Sequence, residues 1–469
     1  MHEMIGWTAR ELLANLTAGA VSHGEMLDAL EARVGEVDGP INALPTLCFD
    51  RARAHADRLT ARPAEARGTL GGLPVPIKDL VAVAGVRSTN GSPIYADLVP
   101  EKSDYIAERV EAEGGLIYAK SNTPEFGAGA STFNPVFGRT ANPWNLSRSV
   151  AGSSGGAAAA LASGQAWLAH GSDMGGSLRN PASFCGVVGL RPSPGRVPKG
   201  PSGNPFAVLS VEGPMARNVG DLGLLLDAMA GADPRLPLSQ AGPHGYRAAA
   251  EAPVLPQRVA FSRDLGITPV DPEVAEICEA AARSLEAHGV TVEEAHPDFS
   301  EAHSAFQTLR AIDFAAGHAE HYAHQRDQLK PDVIWNIERG LALTGGEVAA
   351  AHLARGRMVE AMVAFLERFD LLLCPTTIVP PFAVDARTCE ACDGQRFETY
   401  IDWLAIVYAI TLTSAPALSI PCGFTQGGLP VGLQIVGRLR GEAPLLAHAA
   451  AIEAMLGLPL VPIDPRPRT

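Results

Sequence analysis

The chain has 469 residues, 46% of them hydrophobic, enough for a large buried core. Fifty-one acidic residues against 37 basic ones leave a net charge of −14. That balance argues against nucleic acid and against an anionic membrane as partners, since both need a basic footprint. Seven scattered cysteines, an odd number in a long chain, read as reduced thiols of a cytoplasmic protein and not as a disulfide framework.

The N-terminus carries Glu3, Arg10 and Glu11 early and reads as an amphipathic helix, not a secretory signal. Residues 8–62 read as helices with apolar stripes. A short buried strand segment broken by proline is expected over 73–83, a helix over 104–113 and a strand over 114–120. The most apolar stretch, 155–171, is rich in Ala and Gly and interrupted by Ser163 and Gln165, too short and weak to span a bilayer. Within it a buried strand is expected over 165–170, and a short helix follows over 177–184.

The clearest helix covers 271–288. Asp271 is a good cap, Pro272 suits the first helical position, and Gly289 fits the stop. Val274, Ile277, Cys278, Ala281 and Leu285 recur on one face. Strands are expected on either side, at 258–262 and 290–294, a β–α–β order that argues for an α/β sheet. A helix over 347–368 leads into an apolar strand at 370–374. Composition shifts little, so one α/β domain with a helical N-terminal wrap (about 1–65) is expected.

Four motifs bear on chemistry. Gly152-Ser153-Ser154-Gly155-Gly156 satisfies the nucleophile-elbow pattern G-x-S-x-G with Ser154 as nucleophile, but the preceding residues 134–151 are polar and turn-rich where the elbow needs a strand. Cys389-x-x-Cys392 is half a zinc site without a second half, and reads as surface or half-buried thiols in a loop. His318, His321 and His324, three apart, drift round a helix and lack the H-E-x-x-H context; they read as partly exposed helix residues. The run from Gly171 to Arg179 places small residues between an expected strand and an expected helix N-terminus. Backbone amides can converge there beside Ser177. By itself that run is equally a tight glycine turn.

The two serine-glycine segments together resemble the amidase signature family. Residues 151–197 look like its signature from end to end, Lys78 in GLPVPIKDL matches its catalytic lysine segment, and Ser153 and Ser177 have the family's spacing. Further matches lie at 122–145, 213–231, 370–377 and 414–438. A departure is Val150-Ala151, where many members carry Pro or Gly. The resemblance implies a central mixed β-sheet covered by helices on both faces, a signature core over about 66–232 and a variable substrate-pocket region over about 300–410. It implies Ser177 as nucleophile, Ser153, after a cis peptide, as relay, and Lys78 as base. Met174, Gly175, Gly176 and Ser177 would offer oxyanion-hole amides, and the segment around Gly127 would face the substrate. Ser154, Asp173 and Arg179 would tie the loops together, a plain salt bridge being an equal reading for Arg179. Apolar Val75, Ile77 and Leu80 suit a lysine that must be neutral to act as base.

The implied activity is hydrolysis of an amide-type C–N bond through an acyl-enzyme, with no metal or organic cofactor. The partner is a small-molecule substrate, neither nucleic acid nor membrane, with a homodimer left open. The alternative within the family is the A subunit of a tRNA-dependent amidotransferase, which releases ammonia from glutamine. A catalytically inactive binding protein on the same fold ranks below both, because all three triad positions are intact. Tyr322, Trp335, Tyr400, Trp403 and Tyr408 are the aromatics of the variable region that could line a pocket; singly, each reads better as core.

Overall fold

In the computed structural model, which describes residues 1–241 and 245–467, an eight-stranded mixed sheet runs through the centre of one domain. Its strands are β1 (Leu168–Asp173), β2 (Val188–Arg191), β3 (Val211–Ala216), β4 (Arg258–Phe261), β5 (Thr291–Glu294), β6 (Leu371–Pro375), β7 (Ala417–Phe424) and β8 (Pro430–Val436). The spatial order is β5-β4-β6-β8-β7-β2-β3-β1. β4 pairs in parallel with β5 and β6, and the remaining ladders are antiparallel.

Helices cover both faces. Gly432 on β8 meets Ser183 of one helix (Arg179–Cys185), while Gly437, five residues on, meets Leu445 of another (Glu442–Leu456). An odd step along a pleated strand puts those contacts on opposite faces. Every residue of β6 (LLLCP) and β8 (PVGLQIV) is accordingly buried, which is why both read as near-continuous apolar runs.

The expected β–α–β unit forms as β4, the helix Pro272–Arg283 and β5. The Asp271 carboxylate accepts the Glu273 and Val274 amides, and the last turns tighten to a 3₁₀ helix ending at Gly289 (φ 83°). The N-terminal wrap is a single turn, Glu3–Gly6, and three longer helices, Ala9–Ala18, His23–Ile41 and Phe49–Thr60. Capping boxes start the first two of the longer ones, Thr8 with Glu11 and Ser22 with Glu25. The helix expected at 104–113 forms over Tyr105–Ala112, and that at 347–368 over Gly345–Arg368.

The differences cluster round the serine-glycine segments. Prolines 74 and 76 cut the strand expected over 73–83 to Ile77–Lys78, and the next shrinks to Ala119–Ser121. With Thr46–Leu47 these make a small sheet, docked on β1 where the His170 amide donates to Pro76 O at 3.1 Å. β1 lies three residues later than expected, because Gly164 (φ 76°) ends the helix Gly155–Ala162 first. It therefore carries Ser172 and Asp173 to the sheet edge. The polar stretch before Gly152 does hold a small hairpin, Ala141–Asn142 with Asn145–Ser149, outside the central sheet. The helix Gly155–Ala162 is wholly buried. A Cβ at Gly156 would lie 2.3 Å from Asn122 N, so only glycine lets it start against the small sheet. No described helix is long and apolar enough to cross a membrane.

Candidate active site

Lys78 is fully buried, and its Nζ lies 2.7 Å from Ser153 Oγ, 2.9 Å from Ser154 Oγ and 3.0 Å from Ser172 Oγ. A neutral amine accepts one hydrogen bond and donates two, which suits three hydroxyl neighbours; an ammonium only donates. Burial pulls the Lys78 pKa from 10.5 down to about 7, against the attraction of Glu212 and Asp173. Glu212 sits behind it on β3. His170 Nδ1 accepts the Lys78 backbone N–H at 3.3 Å, so its proton is on Nε2 and reaches Glu212 Oε2 at 2.8 Å. Asp79, next to the lysine, turns away to a buried pair with Lys120 at 2.9 Å.

The Gly152–Ser153 peptide is cis. Ala151 adopts φ 57°, the left-handed region that glycine enters more easily, so the departure from the family pattern sets an alanine where glycine would be the less strained residue. Ser153 and Ser154 are 3% and 0% exposed, whereas Ser177 is partly open. The Ser154 amide donates to Ser177 O at 3.1 Å, joining the two segments. A wholly buried Ser154 bonded to Lys78 is not the exposed hydroxyl that a nucleophile elbow needs.

Asp173 organises the loop that follows β1. Its carboxylate accepts the amides of Gly176 (2.9 Å) and Leu178 (3.1 Å) and Nε and Nη2 of Arg179 (3.0 and 2.9 Å). Burial opposes its charge, but Arg179 and Arg191 outweigh burial and hold the carboxyl well below the usual range. Arg179 continues to Gln434 Oε1 (2.6 Å), Val407 O and Thr411 Oγ1 (both 3.0 Å), a tie from the loop to β8 and the helix Ala405–Thr413. Of the four expected oxyanion donors, the Gly176 amide is committed to Asp173. The amides of Met174, Gly175 and Ser177 have no acceptor among the described residues. Gly176 has φ 99°, and a Cβ there would sit 2.6 Å from Asn180 Nδ2 and Val407 Cγ2.

Ser153, Ser172, Ser177, Met174, Gly175 and Gly127 line one cavity of about 90 Å³. A Cβ at Gly127 (φ 69°) would lie 3.5 Å from Ser153 Oγ. The remaining walls are largely apolar: Leu80, Phe126, Phe306, Phe314, Ile401 and Leu404, with Arg310 among them. None of the five aromatics weighed from sequence is on this lining. Tyr408 stacks on Phe306 at 4.3 Å, Trp403 packs on Phe184 and Phe382, and Tyr400 holds Arg310 at 2.6 Å. Trp335 meets the edge of Tyr400, and Tyr322 bonds Glu338. Sequence reasoning missed Phe306, Arg310 and Phe314. Their spacing of four places them on one face of the helix Ala302–Gln325, a signal present in the sequence.

The discarded motifs are also placed. Cys389 and Cys392 are buried at 8% and 5% exposure, not surface thiols, with Sγ atoms turned to Ala391 O and Ile378 O. His318 and His321 are half-buried against Phe126, His318 tilted at 4.5 Å and His321 stacked at 5.3 Å; His324 is exposed. Among the described residues no group of His, Cys, Asp or Glu could hold a metal ion.

Residues 25–446 match the family model described as Amidase. The chain belongs to the amidase signature family. Over 459 residues it is 36% identical to an acylamidase of Rhodococcus erythropolis, covering 96% of this chain and 95% of the relative. It is 38% identical to the A subunit of the glutamyl-tRNA(Gln) amidotransferase of Anaeromyxobacter dehalogenans (strain 2CP-C), covering 98% and 97%. A bacterial aryl acylamidase of the amidase signature family superposes with a TM-score of 0.89 at 28% identity, covering 96% of both chains. The 6-aminohexanoate cyclic dimer hydrolase gives 0.87 at 29%, covering 97% of this chain and 98% of the other. As a member of this family the protein is a hydrolase of amide-type C–N bonds other than peptide bonds.

Proposed function

We propose that the chain hydrolyses small acyl amides through an acyl-enzyme on Ser177. The observation that carries this is a buried lysine surrounded by hydroxyls, with Ser153 bridging from it to the cavity that Ser177 opens into. Ser177 Oγ attacks the carbonyl carbon, its proton passes to Ser153, and the Ser153 proton passes to Lys78 Nζ. The amides of Met174, Gly175 and Ser177 stabilise the oxyanion. On collapse the C–N bond breaks, and the leaving amine takes a proton from Ser153, which Lys78 replenishes. Water then attacks the ester by the same relay and frees the acid. His170 and Glu212 hold the lysine backbone from behind and set the charge it feels.

The apolar walls suit an aryl or alkyl acyl group, in keeping with the acylamidase relatives. Seven free thiols accord with a reducing, cytoplasmic setting. The amidotransferase reading rests on the glutamyl-tRNA(Gln) amidotransferase relatives. A screen of acyl anilides, primary amides, carbamates, esters and glutamine separates the two. Anilide or simple amide turnover well above glutamine turnover supports the amidase; glutamine as the best substrate overturns it.

A further inference from the structure

We propose that Arg310 forms an anion subsite in the catalytic cavity, so that the preferred substrate carries a carboxylate remote from its scissile amide; this rests on the amide-hydrolase reading of the same cavity. Arg310 lines that cavity with Ser153 and Ser177 and is only 5% exposed. Its partners are neutral. Nη1 donates to Asn336 Oδ1 and Nη2 to Tyr400 OH at 2.6 Å, while Nε–H has no acceptor among the described residues.

Four other buried arginines, Arg33, Arg179, Arg191 and Arg196, each reach a carboxylate; Arg217, like Arg310, has neutral partners, but they are the carbonyls of Ala166 and Trp7 and it does not line the cavity. Nearby carboxylates are already taken. Asp332 lies 3.4 Å from Lys330 Nζ and 3.1 Å from Arg387 Nη2. Glu125 accepts from Ser92 Oγ and the Lys330 amide, and burial raises its pKa. Burial also lowers the Lys330 pKa, and neither Lys330 nor Arg387 lines the cavity, so Arg310 is the charged side chain that the cavity presents.

A guanidinium withdrawn from water without a counter-charge is costly, and its planar fork matches a carboxylate. Arg310 is also held in place. Asn336 Nδ2 donates to the same Tyr400 OH at 2.6 Å, and the Phe314 ring lies 4.5 Å under the guanidinium. A carboxylate arriving there meets a fixed donor, and the phenylalanine walls take up the apolar chain between it and the amide.

The test compares succinyl, glutaryl and adipoyl mono-p-nitroanilides with their methyl esters, in the wild type and in Arg310→Gln. A second pair, acetanilides with and without a ring carboxylate, covers the leaving-group side. In the best-fitting member the free acid should exceed its neutral match in kcat/KM by about tenfold or more, the worth of a hydrogen-bonded charge pair. Arg310→Gln should erase that ratio, whatever it does to the neutral rate. A purely structural arginine would lower both rates together and leave the ratio unchanged, which overturns the proposal. So does a wild type that prefers the neutral partner in every pair. If Arg310→Gln does not fold, Arg310→Lys must retain a reduced preference. If no anilide turns over, the amidase reading fails separately, and the subsite is read by protection of Ser177 from a fluorophosphonate. Glutarate must protect the wild type better than pentanamide does, and equal protection overturns the subsite.

Discussion

Titrating the base gives the sharpest test of the proposed mechanism. Burial brings Lys78 from 10.5 to about 7, so at pH 7 about half the molecules hold a neutral amine, against about one in three thousand at the ordinary value. That gain of roughly three orders of magnitude in competent enzyme is what burial contributes. Below pH 7, kcat/KM should fall about tenfold per pH unit, and above pH 8 it should level off. Glu212 favours the charged form, so Glu212→Gln should move the midpoint to lower pH, each unit of movement corresponding to about 1.4 kcal/mol. The assay is kcat/KM from pH 5 to 10 for the wild type, Glu212→Gln and Lys78→Ala on one substrate. A Lys78→Ala enzyme with near-normal rates and an unchanged profile would falsify the assignment of the base. A midpoint moving to higher pH in Glu212→Gln would refute the electrostatic account. The same shift has a stability consequence. The folded pKa lies below the unfolded one, so the unfolded chain binds the extra proton between about 7 and 10.5. The contribution of Lys78 to stability should therefore rise with pH across that window and be lowest below it.

Ser177→Ala should abolish both turnover and fluorophosphonate labelling with the fold retained, read by mass spectrometry of the labelled peptide; a label on Ser154 instead sinks the scheme. Lys78→Arg should be inactive at every usable pH, since a guanidinium stays charged, and an active variant would count against proton transfer through this position. Asp173→Asn strips Arg179 and Arg191 of their buried carboxylate. It should lower the unfolding free energy by about 3–5 kcal/mol in urea, and a loss under about 1 kcal/mol would show that the loop does not depend on this charge. EDTA should leave activity unchanged, and loss restored by zinc would overturn the metal-free mechanism.

Sequence alone determined the features whose physics is local. Asp271, Pro272 and Gly289 bound their helix through backbone hydrogen bonds and φ preferences that neighbouring residues dictate. The apolar run at 370–374 announced β6. The meeting of Lys78 with Ser153 was legible because their motifs are linear, and the proposed role of Ser177 rests on the same kind of motif. What surrounds them was decided by tertiary structure. The register of β1 depended on where Gly164 stopped a helix and on the docking of Pro76, contacts between segments far apart in the chain. Ser172 joined the lysine cluster only through that register. Which side chains face the cavity was likewise undecided by composition: Phe306, Arg310 and Phe314 share a helix face, but a face becomes a cavity wall only when the helix is laid against the serine loops. Charge follows the same rule. The sequence carries a net −14, yet whether a given arginine meets a carboxylate, as Arg179 does, or stands before a cavity without one, as Arg310 does, depends on distances that folding sets.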